Sequence, residues 1–200
     1  MPPQPIPNHL CVVVAEGNGG LGDRWANVFA VYDTSNSSPD TTIDDISPFF
    51  VDFYTALAVS STTMAKDWTF DSLTLTRDNG AGHVQAKRVF TVASGTTTFS
   101  PPQNAVVISW KTGFVGKSYR GRTYIGPLSA AAVDGATGAI HESHRLAIAS
   151  AAATLIANLA SSSSGLAVWS RKLDSYKAVT SQLVGPYVDT QRRRRKNLVG

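Results

Sequence analysis

The feature that most constrains the fold of this chain is an order of predicted elements that occurs twice. Within residues 7–100, two apolar runs joined by a glycine-rich turn precede a helical pattern, and two strand-like runs follow it. Within residues 101–190, the same order returns at an offset of about 96 residues. The sequence therefore predicts an α+β fold with antiparallel sheet and two helices, built as a pair of ββαββ pseudo-repeats.

Strands are predicted where apolar residues form a continuous run or alternate with polar residues. The turn of the first hairpin is expected at Gly17 to Gly22, and a polar loop is expected over residues 34–42. The predicted strands are residues 9–16, 25–33, 68–77, 84–93, 105–110, 121–125, 166–173 and 179–189.

Two helices are predicted, and their apolar residues lie on one face. The first covers residues 43–60, with Ser47-Pro48 as its expected cap. The second covers residues 140–160, and its apolar face comprises Ile148, Ala152, Leu155, Ile156 and Leu159. At 200 residues, the chain suits a single domain over residues 1–190, followed by a basic tail at 191–200.

Charge is sparse and unevenly distributed. Only 16% of the residues are charged, against the usual quarter, so Ser, Thr, Asn and Gly supply much of the polar surface. Residues 1–110 hold five Lys/Arg against ten Asp/Glu, whereas residues 111–200 hold thirteen against four. The net charge is therefore −5 for the first range and +9 for the second. This separation favours either packing between copies or contact of the basic half with an anion such as nucleic acid.

Several classes of protein are disfavoured by simple features. The single cysteine, Cys11, excludes an internal disulfide and a zinc–cysteine site, and its apolar surroundings predict a buried thiol. The first seven residues lack the basic and apolar regions of a signal peptide. The longest apolar helical stretch, residues 147–160, is shorter than the roughly 20 residues that span a bilayer. We therefore expect a soluble chain with no membrane partner.

Two glycine motifs resemble phosphate-binding loops and are interpreted otherwise. Gly17-x-Gly19-x-x-Gly22 matches a dinucleotide fingerprint, but that motif needs a helix directly after it, and a strand is predicted instead. The sequence Gly113-Phe-Val-Gly116-Lys117-Ser118 has too few residues between its glycines for a phosphate loop. A hairpin loop is the preferred interpretation of the first motif, and the second is rejected.

No catalytic or metal-binding constellation stands out, so we expect neither an enzyme nor a cofactor. His141 and His144 lie three residues apart beside Glu142, but further ligands are not evident, and exposed polar residues at a helix start are the preferred interpretation. No Gly-x-Ser-x-Gly elbow is present to mark a nucleophile.

Two basic segments are the candidate contact sites. Arg120, Arg122 and Tyr124 share one face of a strand by the two-residue period, which suits either phosphate and base contacts or an edge strand paired with a neighbour's carboxylates. The second segment consists of Arg192, Arg193, Arg194, Arg195 and Lys196. A basic tail of this kind either binds nucleic acid through phosphates or docks on an acidic neighbour.

Three motifs resemble a group of short structural proteins of phage virions. They are Asn27-Val28-Phe29, Ser118-Tyr-Arg-Gly-Arg-Thr-Tyr124 and Asp189-Thr-Gln-Arg-Arg-Arg194, which look like that group's N-V-F strand, R-G-R-x-Y strand and D-x-Q-R-R-R close. The group has no assigned chemistry. The resemblance implies a virion component, assembled in the host cytoplasm, without indicating capsid, neck or tail.

The leading hypothesis is accordingly a phage structural protein that forms a homo-oligomer and contacts other virion proteins. The alternative is a nucleic-acid-binding accessory protein that uses its basic C-terminal tail.

Overall fold

The computed structural model shows an α+β protein whose described part contains two antiparallel sheets and two α-helices. The fold class predicted from the sequence is therefore confirmed. The structure describes residues 9–20, 23–33, 37–60, 64, 67–78, 82–93, 104–114, 117–126, 128–134, 139–161 and 168–177.

The first sheet has four strands in the order β2-β1-β3-β4, and all neighbours are antiparallel. The strands are β1 (His9–Gly20), β2 (Asp23–Asp33), β3 (Thr69–Asp78) and β4 (His83–Ala93). Alternate residues of β1, namely Cys11, Val13 and Ala15, are fully buried. The prediction of a buried thiol at Cys11 is confirmed.

The strand β1 is longer than the sequence predicts, because its glycines belong to the strand rather than to the turn. Gly17 pairs with Trp25, and Gly19 forms an isolated bridge with Trp68. A Cβ atom at Gly17 would lie 1.8 Å from the Thr69 carbonyl oxygen and 2.7 Å from Cζ2 of Trp25. Glycine is needed here for close approach of two strands. The strand β2 follows where a nucleotide-binding fold needs a helix, so the interpretation of the glycine motif as part of a hairpin is confirmed.

The first helix, α1 (Pro39–Thr55), begins earlier than predicted, and a π-helical turn (Ala56–Ser60) continues it. Ser38 is the N-cap, and its hydroxyl accepts a hydrogen bond from the Thr41 amide at 3.2 Å. Pro39 then occupies the first turn, where its missing N–H leaves no bond unmade. The prediction of Ser47-Pro48 as the cap is therefore wrong. Pro48 lies inside the helix, and Ser47 Oγ donates to the Ile43 carbonyl.

Aromatic side chains fill the space between α1 and the first sheet. Tyr54 is fully buried, its ring lies 4.5 Å from that of Phe70, and its hydroxyl accepts a 3.4 Å hydrogen bond from the Asn27 amide nitrogen. The indole rings of Trp25 and Trp68 are stacked at 5.2 Å. Trp25 Nε1 donates to the Thr69 carbonyl at 3.0 Å, which ties β2 to β3 beside Gly17.

The second sheet has three strands in the order β6-β5-β7, again antiparallel. They are β5 (Asn104–Phe114), β6 (Lys117–Ile125) and β7 (Val168–Lys177). Both β5 and β6 extend into the segment predicted as a glycine-rich turn. The second helix, α2 (Glu142–Ser161), buries Ile148, Ala152, Leu155 and Leu159 as predicted, while Ile156 is half-buried.

The two sheets repeat one topology. In each, a hairpin is followed by a helix, and the next strand pairs with the first strand of that hairpin, which gives the orders β2-β1-β3 and β6-β5-β7. The predicted strand at residues 179–189, the counterpart of β4, lies outside the described residues. The element order read from the sequence is matched through β7.

One core joins the two sheets and the two helices. The strand β2 lies against β6 and β5, and α1 lies against α2. Ile108, Thr123 and Ile125 of the second sheet are fully buried in this core. Neither of the two helices that the structure describes is long and apolar enough to cross a membrane.

Candidate interaction surfaces

The strand β6 carries the first predicted contact residues. Arg120, Arg122 and Tyr124 occupy alternate positions of β6 and pair with Lys111, Ser109 and Val107 of β5. Between them stand the buried Thr123 and, at the strand end, the buried Ile125. Because positions alternate between the faces of a sheet, the two arginines and the tyrosine occupy the face opposite to the core.

Register brings further basic and aromatic residues into the same rows. Directly opposite residues of antiparallel strands share a face. Lys111 faces Arg120 on one side and Trp169 of β7 on the other. Ser109 faces Arg122 and Lys172 in the next row. We define the basic sheet face as Lys111, Arg120, Arg122 and Lys172 together with Tyr124 and Trp169.

Sequence reasoning missed Lys111, Trp169 and Lys172, because membership of this face depends on which strands pair and in what register. The two-residue period finds residues within a strand, but the pairing of β5 with β7 links positions about 60 residues apart. A register shift between Ser109 and Trp110 also moves Lys172 into its row. No local pattern signals that shift.

The second sheet as a whole is strongly basic. Its three strands contain seven basic residues and one acidic residue, Asp174, the basic ones being Lys111, Lys117, Arg120, Arg122, Arg171, Lys172 and Lys177. Like charges directly opposite in a sheet are destabilising, and Lys111 stands directly opposite Arg120.

The helix α1 carries the opposite charge. It contains Asp40, Asp44, Asp45 and Asp52 and no Lys or Arg. Arg88 of β4 binds two of these acids. Its Nε and Nη2 donate to the Asp44 carboxylate at 2.6 and 2.9 Å, and Nη1 donates to Asp40 at 3.2 Å. The hydrogen bonds from Arg88 lower the pKa of Asp44, and those acids raise the pKa of Arg88.

The face of the first sheet that points away from α1 is partly apolar. Arg88, on a helix-facing position, binds α1, and Val89 on the next position is 77% exposed. Val14 and Val28 are paired across β1 and β2, and Val28 is 48% exposed. We define this helix-free face by Val12, Val14, Val28 and Val89; the Glu16–Lys87 ion pair at 4.0 Å lies between Val14 and Val89.

A polar cluster lies in the core below α1. Asp33 is fully buried, accepts a 2.8 Å hydrogen bond from Thr42 Oγ1, and lies 3.6 Å from Arg77 Nη1. Burial and the Asp33 charge raise the pKa of the neighbouring Cys11 to about 12, although Arg77 opposes this effect. A protonated, enclosed thiol is a poor nucleophile.

The histidines at the start of α2 are exposed or half-buried, as the sequence predicts. His141 is exposed, and burial together with the nearby His141 lowers the pKa of His144. Arg145 pairs with Glu142 on the same surface. Within the described ranges, no three His, Cys, Asp or Glu side chains are grouped as metal ligands.

The predicted tail site, Arg192 to Lys196, lies outside the described residues. Comparisons with models of known protein families, with curated proteins and with solved structures find no match to this chain.

Proposed function

We propose that this chain is a structural protein of a phage virion that self-assembles into a capsid, neck or tail multimer. The role is mechanical and not catalytic. The resemblance of three of its motifs to virion structural proteins supports the assignment, and so does the low content of charged residues, 16%. Its partners are further copies of the chain and other virion proteins.

The observation that carries the proposal is the helix-free face of the first sheet. Isolated exposed apolar residues are common, but here Val28 at 48% exposure adjoins Val14 and Val12 on one sheet face, and Val89 at 77% exposure lies on the same face at the opposite edge of the sheet. Burial of such residues between copies contributes about 25 cal/mol per Å² of apolar area. A second copy covers this face most economically, because a homo-oligomer presents the same surface many times.

The repeated topology and the separated charges support the same proposal. Each copy contributes two similar units, one with an acidic helix and one with a basic sheet, to neighbours in a ring or shell. Units of opposite sign also fix the orientation of neighbouring copies.

Mass photometry of the purified chain tests this role. We expect discrete multimers in the parent chain and a shift toward monomer in Val28→Lys, because a lysine at this position opposes burial. The matched control is Leu146→Lys on α2. Leu146 is 53% exposed and does not belong to the helix-free face, so this variant should assemble like the parent. A parent chain that stays monomeric at high concentration, and that is missing from virions analysed by mass spectrometry, refutes the proposal.

A second candidate is a nucleic-acid-binding accessory protein that acts through the basic tail. The seven basic residues of the second sheet, together with the tail, favour it. Deletion of residues 191–200 should then weaken binding and reduce its dependence on salt. Unchanged binding after this deletion excludes the tail as the site.

A further inference from the structure

We propose that the basic sheet face binds single-stranded nucleic acid, with its Lys and Arg residues on phosphates and Tyr124 and Trp169 stacked on bases. This inference goes beyond self-assembly, which uses the helix-free face of the other sheet, and it places nucleic acid on the folded domain as well as on any tail.

The basic sheet face concentrates positive charge in two adjacent rows. Lys111, Arg120, Arg122 and Lys172 occupy two adjacent rows of one sheet face, and Asp174 in the next row is the one acidic residue of the three strands. Four cations on one face cannot be enclosed in a core without counterions, because desolvation costs several kcal/mol per ion. The face therefore contacts solvent or an anion.

The spacing of these basic residues follows from the geometry of the sheet. Rows on one face are two residues apart, which is about 6.6–6.8 Å, and the three strands are about 4.8 Å apart. Cations at these spacings form a strip wide enough to follow one phosphate backbone. A three-stranded sheet is wider than the α-helix or two-stranded ribbon that the major groove of a duplex admits. The geometry thus favours one strand over two.

Two aromatic residues belong to the same sheet face as the basic residues. Trp169 ends the row of Lys111 and Arg120, and Tyr124 stands two positions beyond Arg122 on β6. Single-strand binding folds combine a basic groove with aromatic side chains on which bases stack, irrespective of sequence. Arginine adds bidentate contacts to phosphate, which lysine cannot reproduce.

An acidic surface of a second copy is the competing partner. The acids of α1 are the strongest candidates, but Arg88 already binds Asp40 and Asp44 within the same copy. That helix has four acids in all, and two of them are already paired with Arg88, so it offers fewer carboxylates than the basic sheet face has cations. A polyanion with one charge per nucleotide matches the face better.

Fluorescence anisotropy with a labelled oligothymidylate of about 16 nucleotides tests the inference, since that length covers the upper site size of a small binding fold. The full chain is used, below the concentration at which multimers form, so that loss of assembly and loss of binding are measured separately. We expect Arg120→Gln/Arg122→Gln to bind about tenfold more weakly and the salt slope to fall by roughly 1.4, as expected for two lost phosphate contacts on a single strand.

Controls separate this face from the tail and from overall charge. Arg24→Gln/Arg145→Gln removes the same charge from exposed residues that define neither face and should bind like the parent. Arg120→Lys/Arg122→Lys should keep the salt slope. Trp169→Phe should reduce the quenching of tryptophan fluorescence that stacking on bases produces.

Three results overturn the inference. The first is unchanged binding in Arg120→Gln/Arg122→Gln, which assigns binding to the tail. The second is equal affinity for duplex and single-stranded oligonucleotides. The third is loss of multimers in that variant without loss of oligonucleotide binding, which assigns the face to a protein partner. Assembly that persists while this variant loses binding supports the inference. Loss of assembly in Val28→Lys alone concerns only the proposed function.

Discussion

The two sheets share a strand order through three strands, but the cores beside them and the charges of their strands differ. The first unit (β1 to β4 with α1) has a core of large aromatic rings and a sheet of nearly balanced charge. The second unit (β5 to β7 with α2) has a helix rich in alanine, buried through Ile148, Ala152, Leu155 and Leu159, and a sheet with seven basic residues. Among the side chains that the structure describes, the first unit supplies the aromatic packing, whereas the strands of the second unit contain more basic residues.

The strongest test of this division compares matched deletions in the two helices. Phe50→Ala in α1 should lower the free energy of unfolding by about 3–5 kcal/mol, since Phe50 is fully buried with its ring 5.0 Å from Phe29. Leu155→Ala in α2 should cost less, about 2–3 kcal/mol, because it removes a smaller side chain from an alanine-rich helix. Chemical denaturation monitored by circular dichroism measures both.

These two variants also test whether the units share one core. Because β2 lies against β5 and β6, and α1 against α2, both variants should shift a single cooperative transition. Two separate transitions in Leu155→Ala would show that the second unit unfolds by itself.

The buried ion pair of the first unit gives the next largest effect. Asp33→Asn should destabilise the fold by about 3 kcal/mol, because Arg77 then remains buried without its counterion. Thr42→Val, which removes one hydrogen-bond donor to Asp33, should cost only about 1 kcal/mol. The double variant Asp33→Leu/Arg77→Met should recover much of the loss, and its failure to do so would assign the cluster a role beyond charge balance.

The third largest effect is expected at Gly17, where β1 closely approaches the start of β3. Gly17→Ala places a Cβ atom 1.8 Å from the Thr69 carbonyl oxygen, so one strand has to move, at a cost of about 3 kcal/mol. The displacement should also loosen the stacked Trp25 and Trp68 rings and change the near-ultraviolet circular dichroism. Wild-type spectra and stability in this variant would contradict the close approach of the strands.

The sequence predicted the elements well and their lateral arrangement poorly. Apolar periodicity located β1 to β7 and both helices, because burial on one face leaves a periodic trace in each element. It misplaced the start of α1, since Ser38-Pro39 and Ser47-Pro48 offer the same local cap signal and only packing against the sheet selects the first. It found three residues of the basic sheet face on β6 and missed the rest, which depend on pairing between distant strands.

The smallest expected effect compares the exposed ion pairs of the two units. Arg88→Gln removes the hydrogen bonds that hold the pKa of Asp44 below its ordinary value, so that pKa should rise toward the ordinary value of an aspartate. The lowered pKa stabilises the fold above the ordinary carboxylate range, and this contribution disappears as the pH falls through the folded-state pKa. The difference in melting temperature between parent and variant should therefore shrink in acid.

The matched control is Arg145→Gln in α2, which removes the partner that lowers the pKa of Glu142. Nuclear magnetic resonance titration of the side-chain carboxyls should show Asp44 shifting only in the first variant and Glu142 only in the second. The Arg88 variant should lose more stability, because Arg88 links β4 to α1 whereas Arg145 and Glu142 lie three residues apart on one helix. Equal losses would show that the link across elements adds nothing, and that the first unit is held by its aromatic core alone.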